Sequence, residues 1–217
     1  GTIASRAWAM TDVKICGLTR PEDVRLACDL GAGYVGFNFS AVSARRVSIE
    51  NARRLADATT PGVLRVGVFV EEGVSAIDAA IAAARLDLLQ IHRPLLEADL
   101  DRLPLPVIAV ACVARQGSQL PSDGVLARCR SLLFDTALPE HSGGTGVVFD
   151  WSVLERRSWP VPVFLAGGLN SGNVREAIAR LRPSAVDVAS GVESAPGIKD
   201  ERRMKEFFEA VGKADAS

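Results

Sequence analysis

Val13 to Phe39 reads VKICGLTRPEDVRLACDLGAGYVGFNF, and this stretch carries the unit from which the fold is built. A short apolar run, Val13–Cys16, is followed by Gly17, by an amphipathic segment over Pro21–Leu30 with proline near its start, and by a second apolar run, Tyr34–Phe39. Proline is tolerated in the first helical turn, where its missing N–H costs nothing, and short apolar runs flanked by turn residues suit buried strands. The stretch therefore predicts strand, helix, strand. A crossover of this length joins parallel neighbours.

The same alternation runs through the rest of the chain. Further strands are predicted at Val63–Phe69, Asp87–Ile91, Val107–Cys112, Ser131–Asp135, Val161–Ala166 and Ala185–Ser190, which makes eight. Helices are predicted at Ile49–Ala58 behind Ser48 as cap, Val74–Ala84, Leu95–Arg102, Asp150–Arg156, Val174–Leu181 and Glu201–Val211. Between Cys112 and Ser131, Gly117, Pro121 and Gly124 interrupt the pattern, so the fifth helix is short or missing. Eight alternating units predict an α/β fold of the TIM (β/α)8 barrel type. The single catalytic domain spans 10–217, and Gly1 to Ala9 reads as a leader before Met10. An open doubly wound sheet is the competing architecture, because periodicity does not separate a closed sheet from an open one. In either fold the ligand site lies at the carboxyl ends of the strands.

Composition narrows the partner. The 217 residues are 48% hydrophobic, and 25 basic against 26 acidic residues leave a formal charge of -1. That balance offers no footprint for nucleic acid or an anionic membrane, no apolar run is long enough to span a bilayer, and a cytoplasmic protein acting on a small molecule is expected. Cys16, Cys28, Cys112 and Cys129 show no CxxC spacing, and His92 and His141 lie far apart, so neither a metal site nor a disulfide framework is expected.

The strand ends divide into two groups. Strands seven and eight end in AGGLNSGNV (Ala166–Val174) and ASGVES (Ala189–Ser194). Gly167, Gly168 and Gly191, with Asn170 and Ser190, let backbone N–H groups approach an anion beside a helix start. Taken singly, such glycines are turn residues. Two such loops after the last two strands match the recurring phosphate site of barrels. SGGTG (Ser142–Gly146), which contains Gly144, adds further backbone donors.

The second group is reactive: Cys16 ends strand one and Asp135 ends strand six. A base and an acid across a barrel mouth suit proton transfer. The bland alternatives are a buried inert thiol and a turn carboxylate. Lys14 shares the face of Cys16 by strand alternation, so it points inward, either as a Schiff-base amine or as a paired core lysine.

KICGLTRPEDV, GAGYVGFNF, SARRVS, LLQIH, FDT, GGTGVVFDW, FLAGGLNSGNV and AVDVASGVESAPGIKD follow one another in the order found in the phosphoribosylanthranilate isomerases of tryptophan biosynthesis, and the chain after Met10 closely resembles that family. The resemblance implies a TIM barrel that needs no cofactor and performs an Amadori rearrangement of a phosphosugar, N-(5-phosphoribosyl)anthranilate. It implies Cys16 as general base, Asp135 as general acid and Arg45 as the ligand of the anthranilate carboxylate, with His92 among the substrate contacts. It leaves the oligomeric state between monomer and homodimer.

Three positions depart from the family pattern. Arg93 follows His92 where glycine is usual, and Ala44 and Arg46 replace the common proline and aromatic around Arg45, so Arg46 competes with Arg45 for the carboxylate role. Three rival readings are the histidine-pathway isomerase, in which aspartate stands at the position of Cys16, a Schiff-base aldolase using Lys14, and a phosphate-binding barrel without activity.

Overall fold

The structure is a computed structural model that describes residues 10–114, 117–136 and 158–216. Its strands are β1 (Asp12–Ile15), β2 (Tyr34–Asn38), β3 (Leu64–Phe69), β4 (Leu88–Ile91), β5 (Val107–Ala114), β6 (Gly117–Gln119), β7 (Ser131–Thr136), β8 (Val163–Leu165) and β9 (Ala185–Val188). All but β6 run parallel, in the order β4-β3-β2-β1-β9-β8-β7-β5, and β4 pairs with β5 to close the ring. The predicted barrel is therefore closed, and the open-sheet alternative is excluded.

Helices α1 (Pro21–Asp29), α2 (Ile49–Ala58) and α3 (Val74–Ala84) follow the first three strands as predicted. Ser48 caps α2 by accepting a hydrogen bond from the Asn51 N–H at 3.1 Å. Helix α4 is shorter than expected, Glu97–Leu100, because Leu103 precedes Pro104 and the residue before a proline is driven out of helical backbone. The fifth crossover holds α5, four residues over Asp123–Leu126. Ahead of it lies an unpredicted hairpin in which β5 continues to Ala114 and pairs antiparallel with β6. Helices α6 (Val174–Leu181) and α7 (Glu201–Asp215) complete the outer ring, and the predicted Asp150–Arg156 helix lies outside the described residues. A short hairpin of β10 (Glu193–Ala195) and β11 (Ile198–Lys199), also unpredicted, precedes α7.

Strand alternation builds two cores. Outward residues such as Ile15, Val35, Phe37, Leu89 and Leu132 pack against Leu55, Met204 and Phe207 of the helices. Inward residues Val66, Leu88, Ile108, Leu133, Phe164 and Ala185 fill the barrel's N-terminal half, with Tyr34 and Phe164 edge-to-face at 5.1 Å. Two residues further along the strands the interior turns polar, with Lys14, Gln90 and Asp187 buried there.

Candidate active site

At the carboxyl end of β1 the chain leaves the sheet through Cys16 and Gly17, whose φ of 71° is in the left-handed region. The Gly17 backbone is overlaid by the Arg45 side chain, and a Cβ there would collide with Arg45 Cδ. Arg45 thus comes from the β2–α2 loop to lie over the end of β1. Its guanidinium is held by Glu193, with Nε 2.9 and 3.1 Å from the two carboxylate oxygens and Nη2 2.7 Å from one. Those hydrogen bonds push Arg45 above its ordinary range. Arg46 is exposed and Arg93 is drawn aside by Asp99 at 3.1 Å. Of these three arginines, Arg45 is the one laid over the end of β1.

Glu193 and Lys199, both buried, tie the β10–β11 hairpin to the mouth. Lys199 Nζ donates to Glu193 at 2.9 Å, to the Cys16 carbonyl at 2.6 Å and to the Ala189 carbonyl at 3.1 Å. Burial pushes Glu193 up, but the hydrogen bonds from Arg45 and the charge of Lys199 outweigh it and hold the carboxyl below its ordinary range. Lys199 itself is lowered, chiefly by desolvation. Neither Glu193 nor Lys199 was picked out from the sequence. The available signal was Glu193 and Lys199 in the last matching motif, where two charged residues fell in what read as a loop.

Inside the barrel, Lys14 Nζ sits 3.0 Å from both oxygens of Asp187, its direct neighbour in the β1–β9 register. Desolvation works against the ammonium, yet Asp187 and Cys16 together raise Lys14 above its ordinary value. Its pairing with both oxygens of Asp187 matches the paired-lysine reading. Lys14 also lies beside the Cys16 thiol, which burial pushes up against the opposing pull of the Lys14 charge. His92, ending β4, shares a 2.7 Å contact with Gln90 Nε2 and is lowered to about 4 by burial and by the nearby Lys14 charge, so it is neutral at physiological pH.

Asp135 lies half-buried near the end of β7, opposite Cys112 in the β5 register, and its charge adds to the burial that raises the Cys112 thiol. Cys112 is exposed at this mouth. Going round the ring, β7 is separated from β1 by β8 and β9, so Cys16 and Asp135 flank the mouth from strands that are not adjacent.

The two glycine loops meet between them. Gly167 (φ 86°) and Gly168 (φ 66°) leave β8 in left-handed backbone, and the Gly168 carbonyl accepts from Asn173 Nδ2 at 3.0 Å and Asn170 Nδ2 at 3.3 Å. After β9, residues Ser190–Val192 form a single 3-10 turn. A Cβ on Gly191 would strike the Leu169 carbonyl, so only glycine lets the two loops pack together. The leading N–H groups of such a turn have no partner within it and suit an anion. Gly144 and His141 lie outside the described residues, as does the whole SGGTG segment. Among the described residues no group of three or more His, Cys, Asp or Glu side chains could hold a metal ion, and no helix is long and apolar enough to cross a membrane.

The arrangement matches known proteins throughout. A family model described as N-(5'phosphoribosyl)anthranilate (PRA) isomerase matches residues 13–210. The N-(5'-phosphoribosyl)anthranilate isomerase of Streptococcus gordonii is 45% identical over 202 residues, covering 93% of this chain and 98% of that protein. The crystal structure of phosphoribosyl anthranilate isomerase from Thermotoga maritima superposes with a TM-score of 0.81 at 38% identity, covering 94% of this chain and all of that one (100%). Another isomerase structure, in complex with reduced 1-(o-carboxyphenylamino)-1-deoxyribulose 5-phosphate, gives 0.76 at 34% identity, covering 94% of this chain and 100% of that one. With its closed barrel and its matched length, the chain belongs to the N-(5'-phosphoribosyl)anthranilate isomerase family, the isomerases of tryptophan biosynthesis.

Proposed function

We propose that this isomerase rearranges N-(5'-phosphoribosyl)anthranilate to 1-(2-carboxyphenylamino)-1-deoxyribulose 5-phosphate with Cys16 as general base and Asp135 as general acid. The observation that carries the reading is the position of these two groups, one just past β1 and one on β7, on either side of the glycine loops that follow β8 and β9. Asp135 protonates the ribose ring oxygen, the furanose opens to a protonated imine, and the positive nitrogen acidifies the hydrogen on C2. Cys16 thiolate takes that proton, and the enolamine tautomerises to the ketone. The loops at Gly167, Gly168, Asn170, Ser190, Gly191 and Gly144 hold the phosphate, and Arg45 receives the anthranilate carboxylate, so both ends of the substrate are fixed while the middle reacts. Arg45 fits this task because Glu193 grips its Nε edge and Nη2, which orients a guanidinium already laid over the end of β1.

His92 lines the same mouth as a neutral ring and is not the acid at physiological pH. Burial favours the neutral Cys16 thiol, so the thiolate is the minor form at neutral pH. The reading carries a cytoplasmic location, no cofactor, and a monomer or a homodimer, the latter known for the Thermotoga maritima isomerase, which has been described as dimeric. The test is Cys16→Ala: turnover is abolished while a product analogue still binds. Near-normal turnover overturns the assignment of the base.

A further inference from the structure

We propose that Lys14, held in place by Asp187, is a positioning residue for the isomerisation, its ammonium serving as the fixed counter-cation of the Cys16 thiolate. The inference rests on the reading of Cys16 as the base. Lys14 on β1 and Cys16 just past its end are two residues apart and so face the same interior, and both abut Gly36 of the neighbouring strand. A Cβ at Gly36 would stand 2.9 Å from Cys16 Sγ and 3.2 Å from Lys14 Nζ, so glycine at this point of β2 leaves the room in which thiol and ammonium meet. From the other side Asp187, on β9, takes Lys14 through both carboxylate oxygens at 3.0 Å and fixes its reach.

The pair is poorly explained as a stabilising device. Lys14 is 0% exposed and Asp187 6%. Two charges so far from water cost about as much in desolvation as their attraction returns, and well-packed apolar residues of similar size serve stability equally well. The barrel layer just beneath is built from such apolar residues. What apolar residues would not do is favour an anion at the neighbouring sulfur. The other charges facing Cys16 are Lys199 from β11 and Arg45 from the β2–α2 loop, and both are committed to Glu193, while His92 from β4 faces the Lys14–Asp187 pair as a neutral ring. Lys14 is the cation that acts most strongly on the thiol itself. In the cycle it keeps its proton: the C2 hydrogen passes to Sγ as a proton, and Lys14 stands beside the sulfur before and after.

The test reads the sulfur directly. Full-length protein is treated with iodoacetamide over a pH series, and alkylation of the Cys16 peptide is followed by mass so that exposed Cys112 does not interfere. An opposite charge a few ångströms away moves an ionisation by about 1–3 units, so Lys14→Met raises the midpoint of Cys16 alkylation by about one unit or more. Asp187→Asn, which removes the negative charge opposing the thiolate and leaves Cys16 as the anionic partner of Lys14, lowers it. A residue that only packs the barrel gives no pair of opposite shifts. If Lys14→Met does not fold, the double variant Lys14→Met/Asp187→Leu leaves no lone buried charge, and its midpoint lies about one unit or more above that of Asp187→Asn. Shifts of the same sign, or none beyond about 0.3 unit, overturn the proposal. Cys16→Ala with full turnover would instead bring down the base assignment, whatever the alkylation shows.

Discussion

The N-terminal and C-terminal halves of the barrel interior are lined by the same eight strands and obey opposite rules. Below, Tyr34, Leu88, Phe164 and Ala185 belong to a packed apolar cluster. Two residues further along, Tyr34 gives way to Gly36, Leu88 to Gln90 and Ala185 to Asp187, and Lys14, Cys16, His92 and Asp135 belong to this upper level. Because strand side chains repeat every second residue, a strand such as β4 or β9 supplies one inward residue to the apolar cluster and the next to the polar level, whereas β5 and β8 stay apolar with Val110 and Ala166. The two halves should therefore fail in different currencies, one in folding and the other in rate.

The largest expected effect is on rate. Asp135→Asn keeps size and hydrogen bonding without a transferable proton, and general acid catalysis is worth roughly 10²–10⁴-fold, so kcat falls by about that factor while inhibition by inorganic phosphate is unchanged. A variant within a few-fold of wild type breaks the assignment. The matching change below, Phe164→Ala, removes a fully packed ring and destabilises by about 3–5 kcal/mol in urea denaturation, while the folded fraction keeps its kcat within a few-fold. Loss of kcat without loss of stability would erase the division between the halves.

A smaller effect is expected at the rim. Charge-assisted hydrogen bonds are worth about 1.5–3 kcal/mol, so Arg45→Ala raises KM by roughly ten- to a hundred-fold, whereas exposed Arg46→Ala changes it little. The reverse order would put the carboxylate on Arg46. The smallest concerns His92, whose ionisation near pH 4 lies below the ordinary 6.5 of an unfolded histidine. A depressed folded value means stability is full above pH 6.5 and is lost as the pH falls toward 4, by up to about 2 kcal/mol between pH 7 and pH 5. Urea midpoints at the two pH values should differ less for His92→Asn than for wild type, and equal losses would show that other groups set the acid sensitivity.

The eight parallel strands were legible because each is a short apolar run between turn residues. Cys16, His92 and Asp135 could be read as candidates from their places after apolar runs, whereas Arg45, and the role of each, came from the family resemblance. The Lys14–Asp187 pair was only half visible: alternation turned Lys14 inward, but its partner lies 173 residues away and strand register is not written in local pattern. The β10–β11 hairpin was missed for a similar reason. ESAPGIK contains a proline and a glycine and reads as a loop, and what orders it is the tertiary bonding of Glu193 and Lys199. The β5–β6 hairpin escaped because Gly117, Ser118 and Gln119 have no strand preference of their own.

Lys199 reaches the Cys16 carbonyl across 183 residues, and Thr11 at the head of the barrel bonds Asp215 in the last helix at 2.8 Å. A fragment carrying only β1 to β4 would contain Cys16, Arg45 and His92, yet it would lack Asp187, Glu193 and Lys199 that set their positions. The half-barrel is thus an incomplete tool even where it is a plausible folding unit. During synthesis the site takes shape only once the β10–β11 hairpin has left the ribosome, so Cys16, Arg45 and His92 emerge well before the residues that set them.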